Sequence, residues 1–273
     1  MSGLHISMLG SSSAGNGAAI WNDYGAVMID LGLGQRYLEP RLSRFGLRFA
    51  DFSAAVITHL HADHVREPTL RRMRRERVPV YVHERAFPIL QARHIAAREM
   101  ADEGSLRSFG DEGIEAEGFE IESFPVSHDA PGGCRGYVFR AKGDDGDKII
   151  AYATDLAYAD DALVERFIDA DAFVLESNHD VEMLENSGRP RELIDRIRNT
   201  GHLSNDESAE AFGKILDGSR RPPKLAMLAH LSDECNLPEL AIAAANRARG
   251  ARRVGDVEIR AAKRFEPTEP FRV

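Results

Sequence analysis

The sequence predicts an α/β protein in which two β-sheets carry helices on their outer faces. Strand-like segments come first, strands that alternate with helices follow, and this order occurs twice along the 273 residues. Helices that alternate with strands cover the apolar faces of a sheet, and a hydrophobic content of 43% is ample for such a core. We expect a single domain over residues 1–273 with two pseudo-equivalent halves, at about 1–150 and 151–273.

Apolar periodicity and turn residues locate the elements of the first half. Asn22-Asp23-Tyr24-Gly25 predicts a hairpin turn, because Asn, Asp and Gly tolerate turn geometry. Apolar residues at helical spacing, with Tyr37 among them, predict a helix that stops at Gly46. Strands are expected at residues 4–9, 18–21, 26–30, 54–58 and 78–82, and helices at 35–45, about 66–77 and about 84–99.

The elements of the second half are predicted in the same way. One apolar segment ends at Val126, and two further strands are joined by a polar turn over residues 142–146. Strands are expected at residues 119–126, 134–141, 148–153, 172–175, 224–228 and 254–259. Helices are expected at residues 161–168, about 190–199, 205–216 and 238–248.

Residues 59–64 carry three histidines and an aspartate directly after a predicted strand. In an extended segment alternate side chains point to one side, so His59 and His61 can bind one ion together. Asp63 and His64, where the chain turns away, can face a second ion. Neutral imidazole is a frequent metal ligand near neutral pH, and such a density of ligands after a strand predicts a metal site.

Three later strand ends supply the remaining ligands of a site for two ions. His128, Asp155 and His230 each follow an apolar strand, which is where rigid scaffolds hold functional side chains. A carboxylate can bridge two divalent ions that lie ~3.5–4 Å apart. The predicted ligands are His59, His61, His128 and Asp155 for one ion, and Asp63, His64, His230 and Asp155 for the other. Nitrogen and oxygen donors suit Zn²⁺ and do not exclude Mn²⁺ or Fe²⁺.

Charge, hydropathy and cysteine content limit the classes of function. A formal net charge of −9 argues against nonspecific nucleic-acid binding through overall charge, so a polyanion would have to be held locally. Residues 1–9 are too short and too polar for an export signal, and no apolar stretch approaches the roughly 20 residues that span a bilayer. We expect a cytoplasmic protein without a membrane partner. The two cysteines, Cys134 and Cys235, fit a reducing compartment, with a redox pair as the alternative.

The ligand pattern and four further stretches resemble the metallo-β-lactamase fold hydrolases, and among them the YycJ/WalJ-type branch of bacterial proteins regarded as DNA exonucleases. The stretches are residues 9–16, 126–130, 175–184, and 201–205 together with 229–232. This resemblance covers nearly the whole chain and implies an αββα four-layer sandwich with two mixed sheets. It also implies two divalent metal ions as cofactors, a metal-bridging hydroxide that attacks a phosphodiester of DNA as in a 5′-exonuclease, and a connection with DNA repair.

Residues 201–204 resemble the Gly-His-x-Ser motif of the nuclease members of that superfamily. In those members the histidine contacts the scissile phosphate, so the resemblance implies this catalytic role for His202 and a phosphate contact for Ser204. The free N–H groups of a helix that begins near Asn205 would favour the same anion. Asp63 is expected to hold a metal ion and to orient the attacking hydroxide. The alternative is a helix cap with an incidental histidine.

Two other loops are candidates for contact with the substrate. The small residues from Gly10 to Gly17 could present backbone N–H groups to a phosphate, and Asn16 is the contact expected there; a tight connection is the alternative. The loop lacks the Gly-Lys-Ser/Thr ending of a nucleotide P-loop, so no nucleotide cofactor is expected. His179 is expected near the mouth of the site, where it either binds substrate or orients a ligand.

Two groups of arginines have two interpretations each. Their side chains either form a solvated helix face paired with nearby acids, or they hold a phosphate backbone close to the metals. The first group follows the predicted metal loop, residues 59–64, and consists of Arg71, Arg72, Arg74, Arg75 and Arg77. The second group consists of Arg247, Arg249, Arg252 and Arg253.

Two alternatives to a nuclease share the same scaffold. One is a hydrolase of thioesters, lactones or other small molecules, which would have no use for the motif around His202. The other is a protein that keeps the fold without catalysis, and the presence of all seven predicted ligands argues against it. Nucleic acid is therefore the expected substrate, and this expectation depends on the motif and not on the fold alone.

Overall fold

Two mixed β-sheets form the centre of the molecule in the computed structural model, which describes residues 3–110, 112–143, 146–252 and 255–273. The first sheet contains β1 (His5–Gly10), β2 (Gly17–Trp21), β3 (Ala26–Ile29), β4 (Phe52–Val56), β5 (Val80–His83) and β6 (Leu106–Phe109). The second sheet contains β7 (Ile114–Ala116), β8 (Phe119–Val126), β9 (Cys134–Ala141), β10 (Lys148–Ala153), β11 (Ala172–Glu176), β12 (Leu225–Ala229) and β13 (Glu258–Ala261). Near the C-terminus, β14 (Phe271–Arg272) returns to the first sheet and pairs with β1.

Helices connect the strands and cover the outer faces of both sheets. The first sheet is accompanied by α1 (Gln35–Arg44), α2 (Glu67–Glu76), α3 (Phe87–Arg93) and α4 (Ile95–Asp102). The second is accompanied by α5 (Asp161–Phe167), α6 (Val181–Glu185), α7 (Arg191–Arg196), α8 (Asn205–Gly218) and α9 (Pro238–Arg252). A 3₁₀ turn lies at Phe49–Asp51 and a π-helical turn at Ile197–Gly201.

The two sheets have equivalent topologies. Their strand orders are β14-β1-β2-β3-β4-β5-β6 and β7-β8-β9-β10-β11-β12-β13. Each begins with antiparallel pairs, as far as β3 and β10 respectively. Each then continues with parallel pairs, β3 to β6 and β10 to β13. This repeat is the physical basis of the strand and helix order that the sequence shows twice.

Three apolar layers hold the sheets and helices together and confirm the predicted αββα sandwich. The layer between the sheets includes Ile6 and Tyr137. A second layer, under α1 to α4, includes Leu38 and Met73. A third layer, with Phe212 near its centre, lies under α5, α8 and α9. Burial of these side chains supplies most of the driving force for folding, because it removes apolar surface from water.

Side-chain caps explain where several helices begin. Asp160 and Asp180 each accept a hydrogen bond from a backbone N–H of the first turn, at the starts of α5 and α6. Ser204 forms a capping box with Glu207 at the start of α8. The C-terminal end of α1 precedes Gly46, whose φ of 74° lies in the left-handed region that glycine adopts without strain.

Several predicted elements differ from the structure. The single helix predicted at 84–99 is wrong, because His94 is extended (φ −127°, ψ 127°) and separates α3 from α4. The carboxylate of Glu67 accepts the N–H of Ala96 at 3.1 Å, a tertiary contact that apolar periodicity does not reveal. The strand predicted at 254–259 occurs later, as β13. Val254 and the centre of the predicted turn, residues 144–145, lie outside the described residues.

Short elements and one exposed ring were not predicted correctly. Sequence reasoning missed β6, β7, β14 and α6, which are five residues or fewer and lack a clear period. It also placed Tyr37 on the apolar face of α1, whereas Tyr37 is 54% exposed. The buried face of α1 is formed instead by Leu38 and Leu42.

Three predictions concern the chain as a whole. Apart from β14, the first sheet ends at Phe109, and the second sheet begins at Ile114. The division into halves at about 1–150 and 151–273 stays a prediction. In the described part of the chain, no helix combines the length and apolar character needed to cross a membrane. Cys134 and Cys235 are both buried and both free thiols, so the redox pair is not formed in this structure.

We predict that Tyr137→Phe lowers the free energy of unfolding by about 1 kcal/mol. The Tyr137 hydroxyl, in the second sheet, donates a 2.6 Å hydrogen bond to the carbonyl of Ile57, just after β4 in the first sheet. Urea unfolding measures the change through the midpoint at constant slope. Tyr24→Phe, at a position that is 64% exposed, is the control and should be neutral. Equal midpoints for both variants would show that the bond between the sheets contributes nothing.

Candidate metal centre

The candidate site lies where strands from both sheets end. In the first sheet β4 leads into residues 57–66, which include the predicted metal loop. In the second sheet β8, β10 and β12 run in the same direction and lead to His128, Asp155 and His230. The carboxyl ends of parallel strands are the usual position of ligand sites in α/β proteins. Side chains from distant parts of the sequence can therefore converge here.

Three buried residues at these strand ends have a positive φ. The angles are 62° for Asp30, 61° for Asp155 and 58° for His230. This left-handed conformation is uncommon for residues other than glycine, and where it persists the surrounding contacts hold it in place. All three side chains contact His64. The turn of the backbone at each strand end thus directs the side chain toward one common centre.

His59, His61 and His128 bring three ring nitrogens together. Nδ1 of His61 lies 3.0 Å from Nε2 of His59 and 3.3 Å from Nε2 of His128. The potential ligand atoms of these residues all lie within 4.8 Å of one another. Such a convergence of imidazole nitrogens is the arrangement that a divalent cation such as Zn²⁺ uses.

Asp63, His64 and His230 form a second convergence. Oδ2 of Asp63 lies 3.4 Å from Nε2 of His64 and 3.8 Å from Nε2 of His230. Asp155 lies between the two clusters, with Oδ2 3.3 Å from Nε2 of His64 and Oδ1 3.9 Å from Nε2 of His128. The structure therefore brings all seven predicted ligands together, with Asp155 between the two clusters.

Some donor atoms of the clusters have no hydrogen-bond partner. They are Oδ2 of Asp155 and Nε2 of His230, and both are buried. A buried polar atom without a partner is costly, so native structures usually satisfy it. Imidazole and carboxylate donors in this arrangement fit divalent cations that accept nitrogen and oxygen ligands.

Asp30 is a buried carboxylate of the site that sequence reasoning missed. It accepts hydrogen bonds from the backbone N–H and the hydroxyl of Thr58, at 2.8 and 3.0 Å, and lies 2.7 Å from Nδ1 of His64. A carboxylate on one ring nitrogen fixes the tautomer of the histidine and directs the other nitrogen to the metal side. Burial raises the pKa of Asp30 above its usual range, against the opposing effect of His64. The signal was present, since the strand predicted at 26–30 ends in this aspartate.

Glu176 is a second missed residue and links two predicted functions. Its Oε1 lies 2.8 Å from Nδ1 of His202 and 2.8 Å from Nδ1 of His230. Its Oε2 accepts the backbone N–H groups of Leu156 and Leu203 at 2.7 and 3.2 Å. One fully buried carboxylate thus orients both a predicted metal ligand and the predicted phosphate contact. Here too the signal was an apolar strand that ends in a carboxylate.

Opposite charges compensate one another within the cluster. Burial opposes ionisation of Asp155, but the surrounding imidazoles, His230 first, hold its pKa well below the usual range. Burial also opposes the charge on Glu176, and the His202 and His230 rings lower its pKa to about 2. Burial favours neutral His230, but the neighbouring carboxylates, Asp155 first, raise its pKa to about 10. The carboxylates are therefore ionised and favour positive charge at this position, whether it comes from protons or from metal ions.

His202 stands at the edge of the clusters. Its side chain is 23% exposed, its Nδ1 is bound to Glu176, and the same nitrogen lies 3.9 Å from Oδ1 of Asp155. The π-helical turn Ile197–Gly201 directly precedes it, and turns of this kind are frequent at functional sites. Because Nδ1 is occupied, Nε2 is the ring nitrogen that remains for a molecule bound next to the centre.

The three other predicted substrate contacts are buried side chains. Asn16 is 1% exposed, and its amide nitrogen lies 3.1 Å from Oδ2 of Asp63 and 3.0 Å from Nε2 of His64. Ser204 is 4% exposed and caps α8. His179 is 1% exposed, and its buried Nδ1 has no hydrogen-bond partner. Direct contact of these three residues with a substrate stays a prediction.

The N-terminus of α8 differs from what the sequence led us to expect. Asp206 and Glu207 lie in its first turn, and Glu207 accepts the backbone N–H of Ser204 at 2.8 Å. Carboxylates at this position already compensate the positive end of the helix dipole. A phosphate contact at this end of the molecule therefore depends on His202.

Ion pairs occupy most of the two arginine groups and support the interpretation of solvated helix faces. The pairs are Arg71–Glu67, Arg72–Glu76, Arg74–Glu103, Arg247–Asp206 and Arg252–Asp217. Within the described ranges, Arg75 and Arg77 pair with no carboxylate. They lie at the end of α2 away from the metal loop, and ten helical residues span ~15 Å. Arg253 lies outside the described residues.

Comparison with known proteins gives a consistent result. A family model described as "Beta-lactamase superfamily domain" matches residues 26–231. Over 246 residues the chain is 32% identical to "Exodeoxyribonuclease YycJ" of Bacillus anthracis, which covers 88% of this chain and 86% of the relative. It is 31% identical, with the same coverage, to "Exodeoxyribonuclease WalJ" of Streptococcus pneumoniae strain D39. The solved structure of the metallo-β-lactamase fold protein YhfI from Bacillus subtilis is similar in fold, with a TM-score of 0.69, 15% identity and 100% coverage of both chains.

We predict that Glu176→Gln weakens the affinity for divalent metal about 10- to 100-fold. The amide cannot serve both ring nitrogens as an ionised acceptor, so His230 loses its fixed orientation. Calorimetric titration of Zn²⁺ into chelator-treated protein measures the affinity. Glu120→Gln, an exposed carboxylate on β8, is the matched control and should bind metal like the unmodified protein. Unchanged affinity in Glu176→Gln would contradict the positioning role.

Proposed function

This chain belongs to the β-lactamase superfamily, within its YycJ-type branch of the metallo-β-lactamase fold, and we propose that it cleaves phosphodiester bonds from the end of a DNA strand. Membership of this family makes the protein a metal-dependent hydrolase. Two curated relatives at 31–32% identity are both named exodeoxyribonucleases, which supports DNA as the polymer and an end as the point of attack. A 5′ polarity is part of the proposal.

The convergence of seven ligands supports two divalent ions as cofactors. The proposed ligands are His59, His61, His128 and Asp155 for one ion and Asp63, His64, His230 and Asp155 for the other. When bound, such ions supply Lewis acidity toward a phosphoryl oxygen and make water a better nucleophile at neutral pH. Zn²⁺ is the expected metal because imidazole dominates the donor set, and Mn²⁺ is the second candidate. Asp63, whose side chain is 21% exposed, is the carboxylate placed to orient the attacking water.

The position of His202 is the observation that most strongly supports the proposal of phosphodiester hydrolysis. Buried ligands alone would serve any hydrolase of this fold, whereas an anchored imidazole at the open edge suits a substrate with anionic oxygens. Glu176 holds the ring through Nδ1, so Nε2 can hydrogen-bond to the phosphate or give a proton to the leaving oxygen. A donor that is oriented before the reaction stabilises the charge that develops in the transition state.

We predict that His202→Ala retains its metal and loses about 10²-fold in kcat, because one transition-state donor is removed. Asp155→Ala should instead abolish turnover and weaken the binding of both ions, because it removes the shared ligand. Plasma emission measures the metal content, and digestion of end-labelled DNA measures kcat. If His202→Ala emptied the metal sites, the division of roles between these two residues would be wrong.

Incubation with several polymers tests the substrate class. We expect 5′-labelled DNA to be shortened from its end in the presence of Mn²⁺ or Zn²⁺, and Asp155→Ala protein to be inert. Duplex DNA, single-stranded DNA and RNA are compared at equal concentration, with a thioester as the small-molecule alternative. Intact polymers together with rapid thioester cleavage would overturn the nuclease proposal.

A further inference from the structure

We propose that a cavity beside the candidate metal centre binds one unpaired nucleotide of the substrate strand, an inference that rests on the proposed nuclease function. The cavity has a volume of about 180 Å³ and is lined by two aromatic and two arginine side chains, together with Leu33, three glycines, a serine and an alanine. We call it the Tyr37–Phe265 groove, defined by Tyr37, Arg66, Arg264 and Phe265. Pockets that enclose a whole small ligand exceed roughly 300 Å³, so this volume suits one unit of a longer chain.

The groove shares a wall with the candidate metal centre. Ser12 and Gly15 line it, and the next residue, Asn16, contacts Oδ2 of Asp63 at 3.1 Å. Gly32 also lines it, and a Cβ added there would lie 1.6 Å from the carbonyl oxygen of Asp63. Only glycine allows the two backbones to approach so closely. The end of a DNA strand bound at the candidate metal centre would therefore lie next to the groove.

Both aromatic rings of the groove are exposed to solvent. Tyr37 is 54% exposed and Phe265 is 52% exposed. Each ring lies against a guanidinium group, at 5.2 Å for Arg41 on Tyr37 and 4.5 Å for Arg264 on Phe265. A single exposed ring needs no explanation. Two rings at one cavity provide a stacking platform, which binds any base because every base has a π-face.

The charge of the groove is positive although the chain as a whole carries −9. Arg66 donates to the backbone carbonyls of Ala14 and Ala62, and Arg41 donates to those of Tyr37 and Phe265. Neither guanidinium pairs with a carboxylate in the described ranges, so both keep their charge available.

Arg264 pairs with Asp233, so its charge is compensated although Asp233 is not part of the lining. Arg66 is therefore the lining residue with an unpaired charge, and Arg41 adds to it from outside the lining. The residues that line the groove include no Asp or Glu. An unpaired guanidinium group next to stacking rings is a combination that suits single-stranded nucleic acid.

A larger cavity elsewhere in the described structure lacks this combination. It has a volume of about 440 Å³ and is lined by four carboxylates against two cationic side chains. It lies near the start of β8, whereas His128 follows the end of that strand. Tyr24 lines this cavity and is 64% exposed. It therefore provides a matched control, an exposed ring that is remote from the metal centre.

Fluorescence anisotropy with a labelled single-stranded oligonucleotide, in the presence of chelator, tests the inference without catalysis. Tyr37→Ala and Phe265→Ala should each weaken binding roughly 5- to 100-fold, the range for loss of one stacked base. Tyr37→Trp should bind as well as the unmodified protein because it keeps a stacking face. Tyr24→Ala should also bind normally. Circular dichroism and thermal unfolding confirm that each variant is folded.

The salt dependence of the same titration tests the guanidinium group. Arg66→Gln should reduce the slope of log Kd against log salt by about 0.7, the value for one phosphate contact on a single strand. Lys214→Gln, which removes an exposed cation that pairs with Glu210 on α8, should leave the slope unchanged.

Digestion of DNA by the unmodified protein separates this inference from the proposed function. If DNA is digested but Tyr37→Ala and Phe265→Ala bind the oligonucleotide normally, the groove is not a nucleotide site and the nuclease proposal stands. If the oligonucleotide does not bind to the unmodified protein at all, the inference is also overturned. If binding falls as expected in both variants but no DNA is digested, the groove is supported and the nuclease proposal fails.

Discussion

The convergence of two sheets on the carboxylate of Asp155 is the constraint on which the rest of the structure depends. His64 follows a strand of the first sheet, and Asp155 and His230 follow strands of the second, so their contacts form only if the sheets pack in one arrangement. The apolar layer between the sheets and the hydrogen bond from Tyr137 to Ile57 favour that arrangement. Burial of carboxylates is costly unless opposite charge compensates it. The site therefore needs the fold, and the fold in turn is tied together at its strand ends by the site.

Equivalent positions in the two sheets have acquired different tasks. Asp30 follows β3 and Asp155 follows β10, the strands at which each sheet changes from antiparallel to parallel pairing. Both have a φ close to 60° and both contact His64, but on opposite ring nitrogens. Asp30 therefore binds Nδ1 of His64, whereas Asp155 lies next to Nε2, on the side of the candidate metal centre. Glu176 does for His230 what Asp30 does for His64, so each sheet contributes a carboxylate that orients a ligand.

The sequence predicted which side chains converge because each lies at the end of an apolar strand, and that pattern is local. His128, Asp155 and His230 are far apart in the chain, yet the rule that parallel strands present their carboxyl ends together was enough to group them. Asp30 and Glu176 follow the same rule and were missed because a lone carboxylate after a strand also suits a cap or a turn. Tyr37 was misplaced for another reason. The spacing that marks the buried face of a helix also admits a ring at its border, and only the neighbouring chain segment decides whether that ring is covered.

The distribution of charge is consistent with the proposed action of an acidic chain on a polyanion. Several arginines of α2 and α9 are paired with carboxylates, which reduces the net attraction of these helices for phosphate. Arg41 and Arg66 are bonded to carbonyl groups instead; Arg66 follows the predicted metal ligands closely in the chain, and Arg41 contacts Tyr37 and Phe265 of the groove. At physiological ionic strength the field of such exposed charges extends only ~8 Å. An enzyme that acts at a strand end has to hold the last few nucleotides and gains little from binding the rest of the polymer. For the proposed nuclease, positive charge at the mouth of the site would satisfy that requirement, and the negative charge elsewhere would disfavour binding along the length of the polymer.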